Sequence, residues 1–403
     1  MALSAALRIA FCDGSSARTA GAVRDMGLAI EIIRDHAGFL ALRQEWDALF
    51  ARAALPQQVF QSHVFLRHWA THYLEAGSRL SIVAARRDGR LVMVWPLLRQ
   101  RRFGLDTLRF MGVPVAQFGD VLVERDGHEA ELLATGWRAI QALRADLFEL
   151  RKLRADAGLD IADLCCEAVM LERREAPRAD LDLRVGPDGP SSIYPARERS
   201  NYRRRLRRLG EHGAISFSTV APGPEAASLA VQAIAMKQAA LTRHGVLAPT
   251  VSDPRFAAFF RDLAGDAEGG SPLRITAMSC NDAAIGIDIA LDCKQTSFGH
   301  VIATHPGHER GGVGGILVHR SFAAARARGN THFDLLAPAD PYKLEHSDRL
   351  TAVVDWMVPL SLAGRLICRM GLQQLRPALR VALRKLPPPV ARRLAAWSNS
   401  GKS

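Results

Sequence analysis

Runs of alternating apolar and polar residues, broken by Asp-Gly, Asn-Asp and glycine-rich turns, fill two stretches of this 403-residue chain. In the first, alternation predicts strands over 27–34, 80–85, 91–98, 105–111 and 120–124, with Asp88-Gly89 as a hairpin turn. Apolar residues at helical spacing predict a helix carrying Phe39, Leu40, Trp46, Leu49 and Phe50, a second over 62–74 and a third over 129–143. A short strand at 146–150 follows.

The second stretch repeats the plan. A strand over 215–220 and helices over 226–242 and 254–263 lead into a meander of strands at 273–279, 284–291 and 296–303, with turns at Asn281-Asp282 and Asp292-Cys293-Lys294. A glycine-rich turn, a helix from Ile316 to a basic end at Arg326, Arg328 and Gly329, and a strand at 333–336 close the unit; an edge strand is expected at 352–357. Residues 142–150 echo residues 327–335, each a helix end, a turn and an apolar strand. The expected architecture is therefore α/β (α+β): two degenerate copies of one unit, each a mixed, largely antiparallel sheet flanked by helices. The expected boundaries are 27–178, 179–357 and a helical tail over 358–403.

The chemistry concentrates in residues 296–343. Gly307 and Gly311-Gly312-Val313-Gly314-Gly315 load a helix N-terminus with glycine, which lets a bulky anion such as a pyrophosphate reach exposed N–H groups. The same glycines also suit a tight strand-to-helix connection with no ligand. Beyond the strand at 333–336, Tyr342 and Lys343 read either as acid/base candidates or as a core aromatic and a solvated cation. Asp334 reads as the orienting group for Lys343 or as the partner of an arginine. His300 and His305 border the 296–303 strand and carry protons near neutral pH or serve structure. In the second unit, Arg197, Arg199, Arg203, Arg204, Arg205, Arg207 and Arg208 crowd one segment, and on a helix Arg197, Arg204 and Arg208 share a face.

Taken in order, Ser200-Asn201-Tyr202-Arg203-Arg204, the Asn281-Asp282 hairpin into Ala284-Ile285-Gly286-Ile287, the helix after Gly315, and Phe333-Asp334 with Tyr342-Lys343 resemble a GNAT acyltransferase core. Asp88-Gly89, Pro96-Leu97-Leu98, Phe110-Met111-Gly112 and Gly119-Asp120 extend the likeness to residues 31–356, and to the FemAB-like branch with the CelD-type acetyltransferases associated with bacterial polysaccharide synthesis. The resemblance implies transfer of an acetyl group from acetyl-CoA to an amine or hydroxyl of a sugar or polysaccharide precursor, without a metal. It implies Arg310, Gly311, Gly312, Val313, Gly314 and Gly315 as the donor clamp, Tyr342, Lys343 and Asp334 as catalytic candidates, and Arg197, Asn201, Arg203 and Arg204 as substrate contacts. The family's leading clamp residue, Gln or Arg, corresponds to Glu309 here, which keeps an aminoacyl-tRNA donor and a non-catalytic accessory role open. The first unit offers only Gly127 at the corresponding turn; it is expected to have lost the donor site and to wall the acceptor cleft.

Composition narrows the setting. Hydrophobic content of 48% indicates a globular chain, and no run approaches the ~18 apolar residues of a membrane span. The start lacks a basic signal-peptide region, so a cytoplasmic protein is expected. The six cysteines form no CxxC pair and read as reduced packing residues. Of the net +12, nine cations and no acid lie from Val358 onward, in a leucine-patterned stretch interrupted by prolines. That tail suits an anionic membrane surface or packing on the body, and nucleic acid less well.

Overall fold

The computed structural model describes residues 28–102 and 104–370, without the side chains of Glu309 and Arg310. The first half contains β1 (Leu28–Ile33), α1 (His36–Ala41), α2 (Arg43–Ala53), α3 (His63–Tyr73), β2 (Arg79–Leu80), β3 (Ile82–Arg87), β4 (Arg90–Trp95), β5 (Leu97–Arg102), β6 (Leu105–Phe110) and β7 (Leu122–Val123). It closes with α4 (Glu129–Ala142), β8 (Leu147–Arg154), α5 (Ile161–Leu164) and β9 (Val169–Asp180). A connector of α6 (Leu181–Arg184), β10 (Val185–Gly186) and β11 (Gly189–Pro190) leads to α7 (Ala196–Gly210), β12 (Ile215–Val220), α8 (Pro224–Arg243), α9 (Pro249–Ser252) and α10 (Pro254–Gly265). The meander β13 (Leu273–Cys280), β14 (Ala283–Cys293), β15 (Thr296–Thr304) precedes α11 (Val313–Ala327), β16 (His332–Asp334), α12 (Pro341–Glu345), β17 (Arg349–Pro359) and α13 (Leu362–Arg369).

Eleven strands form one mixed sheet in the order β12-β13-β14-β15-β16-β9-β17-β8-β6-β5-β2. A smaller sheet runs β1-β3-β4-β7. The chain passes between the sheets at Ser81 and at Pro96, where proline withholds a ladder N–H. The echo seen in sequence becomes geometry: β6 pairs in parallel with β8, and β15 in parallel with β16, over three residue pairs each.

The structure departs from the expected pattern at three places. The strand at 352–357, expected at an edge, is central: β17 pairs with β8 on one side and β9 on the other, and Val353, Met357 and Val358 are buried. Its partners lie almost two hundred residues away in sequence, so local periodicity could not assign them. The strand expected at 120–124 shrinks to Leu122–Val123. The expected boundary at 178/179 falls inside β9, which also pairs with β16. Residues 371–403, most of the expected basic tail, lie outside the described residues, as does Cys12; Leu362, Leu366 and Met370 of the α13 segment are exposed.

The core crosses from one half to the other. Phe298 of β15 meets Phe60 and Phe118 edge-on at ring-centroid separations of 6.0 and 6.4 Å, and Phe65 of α3 meets Phe259 of α10 at 5.1 Å. Beside them Asp266 accepts from Arg67 and from His68, and Asp262 lies 2.8 Å from His72. Phe298→Ala removes a fully buried aromatic from this seam and is expected to cost about 3–5 kcal/mol. Four of the six tryptophans sit in the first half, so urea unfolding followed by their fluorescence should shift although the substitution lies in the second. An unmoved first-half midpoint would mean the halves unfold independently.

Candidate active site

β15 and β16 stay paired only from Thr296↔His332 to Phe298↔Asp334. Beyond that β15 continues to Thr304, while the other strand turns off at Leu336, which holds a φ of +60°. Gly299 stands where they part: a Cβ there would meet the Phe333 ring at 2.6 Å. The next residue, His300, is the extra one in a β-bulge between β14 and β15, and such a bulge leaves a ladder position unpaired and re-aims its side chain.

An inner cavity of about 180 Å³ fills this gap, lined by Gln117, Lys237, Asp288, Gly299, His300, Tyr342 and Lys343 among others. An outer cleft of about 500 Å³ adjoins it, bordered by Asn201, Tyr202 and Arg205 of α7, Thr304, Gly314, Gly315 and His319. Lys237, Ile302, Val318 and Tyr342 line both.

The outer cleft ends at the first turn of α11. Gly312 is its N-cap at φ +73°, ψ +26°, a left-handed conformation in which glycine carries no Cβ penalty, and no side chain caps the turn. Arg205 lies against it: a Cβ at Gly312 would come within 2.6 Å of Arg205 Cδ. At Gly314 the nearest atom would be Thr304 Cγ2 at 3.8 Å, so the turn is open toward the cleft. Uncapped N–H groups, the positive helix end and a guanidinium together suit a phosphate.

In the inner cavity Asp288 is 4% exposed and has no basic partner at ion-pair distance among the described residues. Burial pushes its carboxyl up to about 7, with Ser321 and Arg328 opposing. His300 Nε2 lies 2.9 Å from the Val115 carbonyl, which assigns that nitrogen the proton, and its Nδ1 has no partner among the described residues. Burial lowers its pKa to about 4, so the ring is neutral at pH 7. Tyr342 stands at the junction, where desolvation and the charges of Asp340 and Asp288 push its hydroxyl up to about 12. Lys237 donates to the Ile302 carbonyl at 3.2 Å, and burial lowers its pKa.

Several sequence candidates move. Asp334, 1% exposed, is held by Arg154 at 2.6 Å and accepts from Leu336 N; it takes the arginine-partner role and does not orient Lys343. The Lys343 ammonium donates to the Leu336 and Pro338 carbonyls at 3.0 Å each and faces Asp340 at 3.5 Å. Three donors are thus engaged in shaping the 336–340 loop, which suits a staple better than a base. Among the arginines of α7, Arg197, Arg203 and Arg204 are exposed and border neither cavity, whereas Asn201 and Arg205, four residues apart, do. Gly311 packs on Leu209, Val313 is buried, and the Arg310 side chain is outside what is described. His305 borders neither cavity; its Nδ1 accepts from Gly307 N. Asp288, Lys237 and Gln117 lie outside the sequence candidates, with the lone acid in Ile287-Asp288-Ile289 as the signal for the first; Arg205 belongs to the arginine-rich segment without being one of its expected contacts.

Among the described residues no cluster of three or more His, Cys, Asp or Glu is placed to hold a metal, and no helix is long and apolar enough to cross a membrane.

Residues 196–344 match the model of a family described as an acetyltransferase (GNAT) domain. The match runs from α7 to α12, in the second half. No curated protein matches the chain. Among solved structures, FemX is 13% identical, with a TM-score of 0.54 over 81% of this chain and 97% of its own. L-PGS from Bacillus licheniformis is 10% identical, at 0.50 over 82% and 95%. The C-terminal domain (DUF2156) of a putative lysylphosphatidylglycerol synthetase from Agrobacterium fabrum is 9% identical, at 0.50 over 82% and 95%. At these identities the likeness concerns the fold.

Asp288 provides a test that needs no substrate. Its raised folded pKa means that its stabilising contribution is complete below the unfolded value near 4 and is lost as pH rises through about 7. Replacing it by Asn removes this dependence. The unfolding free energy of Asp288→Asn from urea titration, relative to that of the unsubstituted protein, should therefore rise between pH 5 and pH 8 by an amount on the order of 3 kcal/mol. A pH-independent difference would place the carboxyl in a solvated setting.

Proposed function

We propose that the protein transfers an acyl group, acetyl from acetyl-CoA in the favoured reading, directly to an amine or hydroxyl of a sugar or polysaccharide precursor. The observation that carries this is the gap between β15 and β16, bulged at His300 and continuous with the open N-terminus of α11. The sugar class follows from the likeness to CelD-type enzymes.

Bound in the outer cleft, acetyl-CoA would supply a thioester carbonyl and a thiolate leaving group. Gly312, Gly314 and Gly315 with Arg205 fit its phosphates, because a Cβ at Gly314 would intrude on the space they need. A backbone N–H left unpaired at the His300 bulge would polarise the carbonyl. Asp288, with a carboxyl titrating near 7, takes the proton from the acceptor nitrogen or oxygen as the new bond to carbon forms. Tyr342, protonated up to about pH 12, gives its proton to the departing sulfur as the carbon–sulfur bond breaks. His300 Nδ1 offers the acceptor a hydrogen-bond acceptor.

Calorimetric titration with acetyl-CoA tests the donor site. Saturable binding should be lost in Gly312→Ala, which combines an unfavourable φ with a clash on Arg205. Asp288→Asn should retain that binding within about twofold while lowering kcat by ~10²–10⁴ with amino-sugar acceptors. A folded protein that binds no acetyl-CoA would sink the acetyl donor in favour of aminoacyl transfer or an accessory role.

A further inference from the structure

A third cavity, of about 340 Å³, lies on the seam between the halves, bordered by Gln117, Arg151, Lys152, Arg174, Thr250 and Asp355 among others. Its floor is a bulge in which Arg151 and Lys152 of β8 together oppose Asp355 of β17. Lys152 holds a φ of +56°, uncommon for a residue with a long side chain. Such conformations persist where the surroundings enforce them, and they cluster at ligand sites. Here Asp355, 3% exposed, enforces it by accepting from Lys152 N at 2.8 Å.

The Lys152 ammonium donates to the Ala116 carbonyl at 2.9 Å and to Gln117 Oε1 at 3.1 Å. Both are uncharged oxygens, and one of its three N–H bonds is left over. Burial pushes its pKa down to about 8, with Asp355 opposing, so it is still mainly charged at pH 7. Arg151 and Arg174 approach the same Asp355 at 3.5 and 3.4 Å while Glu149 and Glu172 engage them from behind. The lining nonetheless carries three cations against one carboxylate. Gln117 also borders the inner cavity, where its amide lies 3.4 Å from His300 Nε2. A molecule with its nucleophile beside Asp288 has this second cavity next to it.

We propose that the cavity is a subsite for an anionic group of the acceptor, a carboxylate or a phosphate, bound by Lys152 with Arg174. The acyl-transfer reading is needed only for calling the bound molecule an acceptor; the anion site stands without it. The test is calorimetric titration of the full chain with inorganic phosphate and, separately, with acetate, in an Arg205→Ala background that removes the cation at the α11 turn. At least one probe should bind saturably, and which one binds names the class. Adding Lys152→Asn should weaken that binding about tenfold, the scale of a charge-assisted hydrogen bond; Asn tolerates φ > 0, so the fold should survive. Arg174→Gln, expected to weaken it severalfold, serves if Lys152→Asn fails to fold. No saturable binding of either probe by the folded Arg205→Ala protein, or binding unchanged by both substitutions, overturns the proposal. Transfer activity enters neither outcome, so loss of the acyltransferase reading would be seen separately.

Discussion

Antiparallel pairing of β9 with β17, from Arg349↔Arg178 to Met357↔Val169, joins the two halves by exchange. β9 comes from the first half and completes the sheet of the second beside β16, and β17 comes from the second and completes the sheet of the first beside β8. Each half therefore has a strand position it cannot fill from its own residues. The site inherits its shape from this exchange. Leu335 N donates to Pro177 O of β9, which draws the chain after β16 away from β15 and opens the gap at Gly299. A ladder that kept β16 on β15 would close the inner cavity, and one without β17 would leave the Lys152 bulge no partner.

The buried acids show how environment divides roles among residues of one type. Glu149 meets Arg151, Arg102 and Arg109, Asp355 meets Arg151 and Arg174, and Asp334 meets Arg154. Each of these carboxylates has guanidinium partners in contact, the condition under which a buried charge is tolerated. Asp288 is buried to a similar degree without one, and desolvation then dominates its titration. Asp288 and Asp334, each a lone acid in an apolar strand, look alike in sequence; an arginine in contact with the second and not the first separates them. Buried acids thus differ here in their titration through their neighbours.

Local signals were legible and long-range ones were not. Asn281 and Asp282 take positive φ as a tight hairpin asks, the meander of β13 to β15 falls within a residue or two of its expected bounds, and the glycine-loaded helix opens at Val313 with Gly314 and Gly315 in its first turn. These features depend on residues within a few positions of one another. The central place of β17 depends on partners in the other half. On α7, helical spacing correctly grouped residues into faces, but only the packing of Tyr202 and Leu209 inward decided that Asn201 and Arg205 turn to the cleft while Arg203 and Arg204 face away. Periodicity tells which residues share a face and not what that face meets.

The two halves differ at the turn that opens α11 in one and α4 in the other. Helices α4 and α11 occupy corresponding places, each leading into a strand that pairs in parallel with its predecessor in the sheet. α11 opens on glycines with no side-chain cap and with Arg205 beside them. α4 also lacks a side-chain cap, but it opens on Glu129 and Glu131, whose negative charge would repel a phosphate brought there. The cation-rich cavity on the first half's side lies elsewhere, at the strand bulge of Arg151 and Lys152. That places positive charge on both sides of the inner cavity, one flank at Arg205 beside the α11 turn and one on the seam at Lys152, while Asp288 in the cavity has no basic partner at ion-pair distance among the described residues.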